Sequence, residues 1–208
     1  MAVITNFGVP TADDPGTTLM PKLQYRFRVS FIGIGGVKES SSPVTQNVIS
    51  ASRPNLTHEE VVVDSYNSKM YLAGKHTWEP VTIVFRDDMN SNVIKSLGAQ
   101  LNTQVDHADQ ASAISGGAYK FQTKIETLDG NNATKPTTFD EWNLLGCFIS
   151  NVQYGDLNYA DSNMVQVTLV LRFDHAEHNI TGSTGTAEDY LSKKAIKKLE
   201  DSPKGATS

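Results

Sequence analysis

The 208-residue sequence predicts a mainly β protein, α+β in the sense that one amphipathic helix is expected to pack on antiparallel strands. Three observations carry that expectation. Val165, Val167, Leu169, Leu171 and Phe173 alternate with Gln166, Thr168, Arg172 and Asp174, the two-residue period of a strand with one buried face, and only Val170 interrupts the polar side. Leu23, Tyr25, Phe27, Val29 and Phe31 repeat the pattern against Gln24, Arg26, Arg28 and Ser30. One intervening segment changes period: Met89, Val93, Leu97, Leu101 and Val105 recur every four residues, with Ile94 widening the stripe, as on one face of a helix.

The elements follow in order. Residues 1–21, rich in Thr, Asp, Pro and Gly and without a period, read as an extended arm. After the strand at 23–31, the loop "GGVKESSSP" leads to a second strand over residues 44–51, broken by Arg53, Pro54 and Asn55. A long hairpin comes next, with Val61, Val62 and Val63 on one arm, Met70, Tyr71 and Leu72 on the other, and turn chemistry over residues 64–68. Trp78, Val81, Ile83 and Phe85 set the following strand against Thr82 and Arg86, with Pro80 favouring an edge or a bulge. Asp87 or Asp88 suits the cap of the helix. "DHADQASAISGG" then reads as a loop, "AYKFQTKIETL" as a strand and residues 129–138 as a turn-rich excursion. The last two strands, 145–154 and 164–174, are joined by "GDLNYADSN". A Gly/Ser/Thr linker precedes a short helix with Leu191, Ala195, Ile196 and Leu199 on one side and four lysines on the rest, a helix too short to be stable alone. The expected organisation is an arm over 1–21, one domain over 22–178, and a linker with a short helix over 179–208.

Composition removes several classes of function. Lys and Arg number 18 against 23 Asp and Glu, a formal charge of -5, so the chain as a whole lacks the basic footprint of a protein that grips nucleic acid. The single cysteine, Cys147, leaves no intrachain disulfide, and its apolar neighbours Leu144, Leu145, Phe148 and Ile149 make it a buried small side chain, compatible with a reducing cytosol. The N-terminal stretch has no secretory-signal pattern, and no run has the length of a membrane-spanning helix. The chain carries no Gly-rich phosphate loop ending in Lys-Ser/Thr, no Gly-x-Ser-x-Gly elbow and no cysteine pair for zinc, so no catalytic residue, metal or cofactor is expected. The densest ligand-like run, "DHAEH" at Asp174, His175, Glu177 and His178, sits at a strand end where neighbours point to opposite faces, and it lacks further ligands at matched spacing. Asp140 and Glu141 are adjacent, whereas a glycosidase needs two carboxylates across a cleft.

Three stretches nonetheless form a recognisable set: "SASRPNLTHEEVVV", "NSKMYLAGKHTWEPVTIVFRDDMNS" and "GCFISNVQYGDLNYADSNMVQVTLVLRFD". Together they resemble the tail tube proteins of contractile-tailed, T-even-type bacteriophages, a family related in fold to the tubes of type VI secretion systems and R-type pyocins. The resemblance covers roughly residues 23–174. It implies an antiparallel β-sandwich or split barrel with one outer helix and a long hairpin, six copies to a ring, and rings stacked around a lumen that conducts phage DNA into the host after sheath contraction. The implied partners are further copies in homo-hexameric rings, the tail sheath, the baseplate and tail terminator proteins, and DNA in non-specific passage. Assembly in the host cytoplasm, residence in the virion and no membrane insertion of the subunit are implied as well. A lumen wall needs strands that are apolar towards the subunit and polar towards enclosed water, which makes Gln166, Thr168, Arg172 and Asp174 the expected lumen-facing residues. The resemblance assigns the ring-stacking contact to the hairpin around Val63, Asp64, Ser65, Tyr66, Asn67, Ser68 and Lys69. Two alternatives stand beside it: a baseplate tube initiator or secreted injection-system tube, and a monomeric β-sandwich that stacks carbohydrate on Trp78, Trp142, Tyr154 and Tyr159.

Overall fold

The structure, a computed structural model, describes residues 22–36, 43–129, 138–160 and 162–180. The expected N-terminal arm, most of the excursion after Asp129 and the C-terminal linker and helix therefore lie outside the described residues. The chain divides into two units. Of the smaller, residues 22–26 are described: they form a turn in which the Arg26 N–H donates to the Leu23 carbonyl at 3.2 Å. Phe27–Ile180 form the larger unit.

This larger unit is mainly β. Its strands are β1 (Phe27–Ile32), β2 (Val48–Ala51), β3 (Leu56–Ser65), β4 (Ser68–Trp78), β5 (Val81–Arg86), β6 (Val105–Asp106), β7 (Ala111–Ser112), β8 (Phe121–Leu128), β9 (Thr138–Gln153), β10 (Gln166–Arg172) and β11 (His175–Ile180). A four-residue turn of helix, α1 (Pro43–Gln46), precedes β2, and the main helix is α2 (Asn92–Gln104). One antiparallel ladder runs β1-β8-β9-β10-β5-β2, and β11 joins it on β9. Among the described residues β3 and β4 pair only with each other, as do β6 and β7.

β9 organises this arrangement because it has 16 residues, about three times the usual strand. Its first part pairs with β8 and β11, and its last part pairs with β10. Gly146 lies between the two at φ +69, a left-handed conformation inside a strand. A side chain there would meet the Asp174 carboxylate, with Cγ 2.8 Å from the added Cβ. Gly146→Ala should therefore cost on the order of 2 kcal/mol, the left-handed penalty plus the displaced carboxylate, and lower Tm by about 4–8 °C. Adding Asp174→Ala should return only the steric part, since the backbone strain persists. A Gly146→Ala protein as stable as the parent in thermal unfolding would contradict this reading.

Both parts of the ladder feed one core. Val29, Phe31, Ile125 and Leu144 from one side meet Ile83, Phe85, Val167, Leu169 and Leu171 from the other in a single buried cluster. The Phe31 and Phe85 rings are tilted at 43° with centroids 5.8 Å apart. α2 closes this core through Val93 and Leu97, with Ile94 and Leu101 half-buried beside them. Gln100, also buried, ties the helix down: its amide accepts from the Gly35 N–H at 2.9 Å and donates to the Tyr119 carbonyl at 2.6 Å.

Several boundaries differ from those expected. The first strand begins at Phe27 rather than Leu23, with Tyr25 left exposed in the preceding turn. The second begins at Val48, because Pro43 opens a helical turn, where its missing N–H is harmless. Met89 and Val105 fall outside α2 and are exposed: the Asp88 carboxylate accepts the Asn92 N–H at 2.8 Å and so starts the helix one turn after Met89. That hydrogen bond, aided by the Asn92 side chain, holds the Asp88 carboxyl below its ordinary value. The strand expected from Leu145 begins at Thr138, and Asp174 lies in a bend after β10, so the face it was expected to share ends at Arg172. Cys147 is buried as expected, and burial pushes its thiol up to about 11.

Candidate assembly interface

The most unusual surface is the hairpin. All 10 residues of β3 are exposed, and of the 11 in β4 only Gly74 and Trp78 are partly covered. Register places Val61 opposite Leu72, Val63 opposite Met70 and Asp64 opposite Lys69. Cross-strand partners share a face, so Val61, Val63, Met70 and Leu72 form one apolar side, whereas Glu60, Val62, Asp64, Lys69, Tyr71 and Ala73 lie on the other. A two-residue turn, Tyr66 and Asn67, joins the arms; Tyr66 takes φ +49 and the Ser68 hydroxyl donates to the Ser65 carbonyl at 3.2 Å. An isolated two-stranded ribbon is marginal in water, and four exposed apolar side chains on one face make this one a surface in want of a cover.

The outer face of β10 is the second surface. Gln166 and Arg172 are exposed and Thr168 is half-buried, while Val167, Leu169 and Leu171 point into the core. Thr168 lies beside Val84 and Gln153, Val170 beside Thr82 and Asn151, and Gln166 beside Arg86. Among the described residues in these registers, this face carries Arg86 and Arg172 and no carboxylate, so it is locally basic although the chain is acidic. Asp174 does not join it but pairs with Lys120 at 2.5 Å.

Sheet edges are the third. Among the described residues β1 has only β8 as a neighbour, β2 only β5 and β11 only β9. The last part of β9 likewise has β10 alone, except at Ile149, where the Gln104 side-chain amide accepts from the N–H at 2.9 Å and donates to the carbonyl at 3.1 Å. Open edges of this kind template pairing with another chain unless something covers them.

Two clusters escaped the sequence reading. On the outer face of β1, β8 and β9, Arg28 meets Glu126 at 2.7 Å, and Lys124 bridges Glu126 at 3.4 Å and Glu141 at 2.8 Å. Burial pushes the Glu141 carboxyl up, but hydrogen bonds from Lys124, Asn143 and Asn179 hold it below its ordinary value of 4.5. A depressed carboxyl contributes stability that is full above the unfolded pKa and disappears as pH falls through the folded one. Glu141→Gln should therefore lower Tm by a constant amount from neutral pH to about pH 5.5, and the gap should close below about pH 4. A gap that widens on acidification would contradict the assignment. The second cluster joins Asp140, which pairs with His178, to the His178 ring stacked on Trp142 at 3.9 Å and 6°. Trp142 in turn meets Trp78 edge-on at 6.4 Å, and Trp78 lies 5.7 Å from Phe173. Both tryptophans are thus engaged with protein rings at the root of the hairpin rather than presented to a sugar, whereas Tyr154 and Tyr159 are exposed. No group of three or more metal-ligating side chains occurs among the described residues. The "DHAEH" run is split by β11, in which Ala176 is buried and His175 and Glu177 are exposed.

No protein-family profile matches the sequence, and no curated protein does. Solved structures do match the fold. A chain in the sheath/tube terminator of an extracellular contractile injection system, PVC, in the extended state, superposes at TM-score 0.59 with 14% identity, covering 77% of this chain and 98% of that one. One in the PVC sheath-tube complex in the extended state gives 0.56 and 13%, covering 77% and 93%. The SPP1 tail tube gives 0.52 and 12%, covering 90% of each. At these identities the likeness is one of fold: this protein shares the fold of phage tail tube and contractile-injection tube and terminator components.

Proposed function

We propose that this chain is the major tube subunit of a contractile phage tail, a structural protein whose hexameric rings stack around a lumen that conducts DNA. The observation that carries the proposal is the unpartnered hairpin, whose arms of 10 and 11 residues are too long and too apolar on one side to serve a monomer. In a stacked tube they become a contact between rings. The open edges support the same reading, since joining sheets between subunits removes them, and barrels of more than about 16 strands enclose water rather than side chains. Six copies of a β2-β5-β10-β9 sheet exceed that number.

In this arrangement Gln166, Thr168 and Arg172 line the lumen, on the side of β10 opposite the core. The wall is then mostly neutral and polar, with Arg86 and Arg172 its charges, which attract DNA without sequence preference. The subunit resides in the virion, assembled in the host cytoplasm against sheath, baseplate and terminator proteins. A second reading, a single ring at a tube end such as a baseplate initiator, is favoured by the fold match to a terminator structure. Sedimentation velocity over a concentration series tests the proposal: species growing beyond six subunits fit a tube, a hexamer that stays a hexamer fits the single ring, and a monomer that ignores added baseplates overturns both.

A further inference from the structure

The root of the hairpin sets two histidines side by side. The ladder places His58 of β3 opposite His76 of β4, next to the Thr57–Thr77 pair on one side and a register shift before Glu60 on the other. Directly opposed residues share a face, with Cβ atoms about 4.5–5.5 Å apart. The two imidazole rings have centroids 6.0 Å apart and planes inclined at 58°. Both residues are exposed. Among the described residues neither ring is hydrogen-bonded, whereas the His178 ring is engaged by Asp140 and Trp142.

The surroundings of this pair orient it and leave it something to do. His76 meets Trp78 edge-on at 6.2 Å and 83°, and Trp78 is itself packed against Trp142 and Phe173. One imidazole is thus oriented from the body of the subunit. Beyond the pair the register shifts between His58 and Glu60, and an extra residue in one arm leaves a ladder locally unpaired. The arms also pass very close there, since a Cβ added to Gly74 would lie 2.9 Å from the Glu59 carbonyl oxygen. The histidines therefore flank the point where the ladder between the arms is interrupted, and a bridge at that point has the most to add.

We infer that His58 and His76 form a two-ligand site for a divalent late first-row cation, Cu²⁺, Ni²⁺ or Zn²⁺, which bridges the arms of the hairpin at its root. Imidazole suits these ions, and affinity peaks at Cu²⁺. Bonds of about 2.0–2.1 Å from each ring nitrogen to the metal set the centroids about 4.5–5.5 Å apart at bond angles of about 90–120°. The 6.0 Å seen between the rings needs a closure of roughly 0.5–1.5 Å, which the torsions of two exposed side chains supply without moving the ladder. Water fills the remaining positions, so the ion is exchangeable, unlike one held by the four protein ligands of a structural zinc site. Spacing rules applied along the sequence do not find this pair, because only the register of β3 on β4 brings it together. The inference goes beyond the tube reading and does not depend on it, since both ligands belong to one chain.

Metal titration of the untagged full chain, kept dilute so that it stays unassembled, tests it. Calorimetry with Cu²⁺ should give one site per chain, and the electron paramagnetic resonance spectrum of the complex should show two coordinated imidazole nitrogens. His58→Ala and His76→Ala should each weaken binding at least about tenfold, because the second imidazole acts at the high effective concentration that its neighbour provides. His175→Ala, on β11, should bind as the wild type does. His58 is exposed and outside the buried cluster, so His58→Ala should fold, and its Tm without metal checks that. At ten times its Kd, Zn²⁺ should make openings that separate the arms about tenfold rarer. Slower hydrogen exchange of the amides beside the pair reads this, and the slowing should vanish in His58→Ala. A spectrum with a single imidazole nitrogen would overturn the inference. So would an affinity that is the same in the wild type, His58→Ala and His76→Ala, or one that falls only in His175→Ala, since the ion would then sit elsewhere. A chain that binds metal in this way and never assembles would uphold the site while removing the tube reading.

Discussion

Removing residues 65–68 from the hairpin tip is expected to abolish tubes while leaving the subunit folded. The tip is remote from the core: every residue from Leu56 to Ser65 is exposed, and the deletion touches none of the buried cluster. Exposed substitutions usually shift stability by no more than about 0.5 kcal/mol, so Tm should move by about 2 °C or less. Assembly should respond far more strongly. Val63 and Met70 lie opposite each other beside the deleted turn, and each side chain that loses its cover in the stack forfeits about 1.5–3 kcal/mol, tenfold or more in the contact. In the proposed tube the loss is repeated in every subunit of a ring. Val63→Asp with Leu72→Asp provides the same test with the turn intact. A folded variant that still forms tubes would remove the hairpin from the stacking contact.

Phe85→Ala is expected to have the largest effect on the subunit itself. Phe85 is fully buried, packs against Phe31, and sits on β5 between β10 and β2. Truncation of a buried phenylalanine costs about 3–5 kcal/mol, because the lost transfer energy is joined by a cavity that the surrounding strands cannot fill. Against a total stability of about 5–15 kcal/mol, that lowers Tm by roughly 6–20 °C and cuts the yield of assembled material through loss of folded subunits. Chemical denaturation reads it directly. A cost under about 1 kcal/mol would mean that Phe85 is not central to the core, contrary to the packing.

The two predictions separate what the sequence made legible from what it did not. Clean alternation marked β10, and its core side, Val167, Leu169 and Leu171, is fully buried. The same signal marked β1 and β5 and, through Val93 and Leu97, the helix. It failed where both sides of a strand are partly covered: the opening of β9, "TFDEWNLL", lies between β8 and β11 and shows no clear period. Over-extension had another cause, since Met89, Val105 and Tyr25 continue an apolar rhythm beyond the point where a cap or a turn ends the element. At the candidate interface, the hairpin could be read because three consecutive valines and an Asp-to-Ser turn are local. Its isolation could not, since that depends on β3 and β4 finding no other strand. The Arg28-Glu126-Lys124-Glu141 network and the Asp140-His178-Trp142 stack were equally hidden, because each joins residues on different strands whose register no local pattern reveals.

The central claim is that six copies close a ring and rings stack through the hairpin. Electron microscopy of the purified wild-type chain over a concentration series, with averaged end-on views, measures this most directly. The account predicts hollow tubes of uniform width with six-fold end views, absent from the hairpin-deleted protein. Solid filaments, a different rotational symmetry, or single particles that stay monomeric in the presence of baseplates would contradict it.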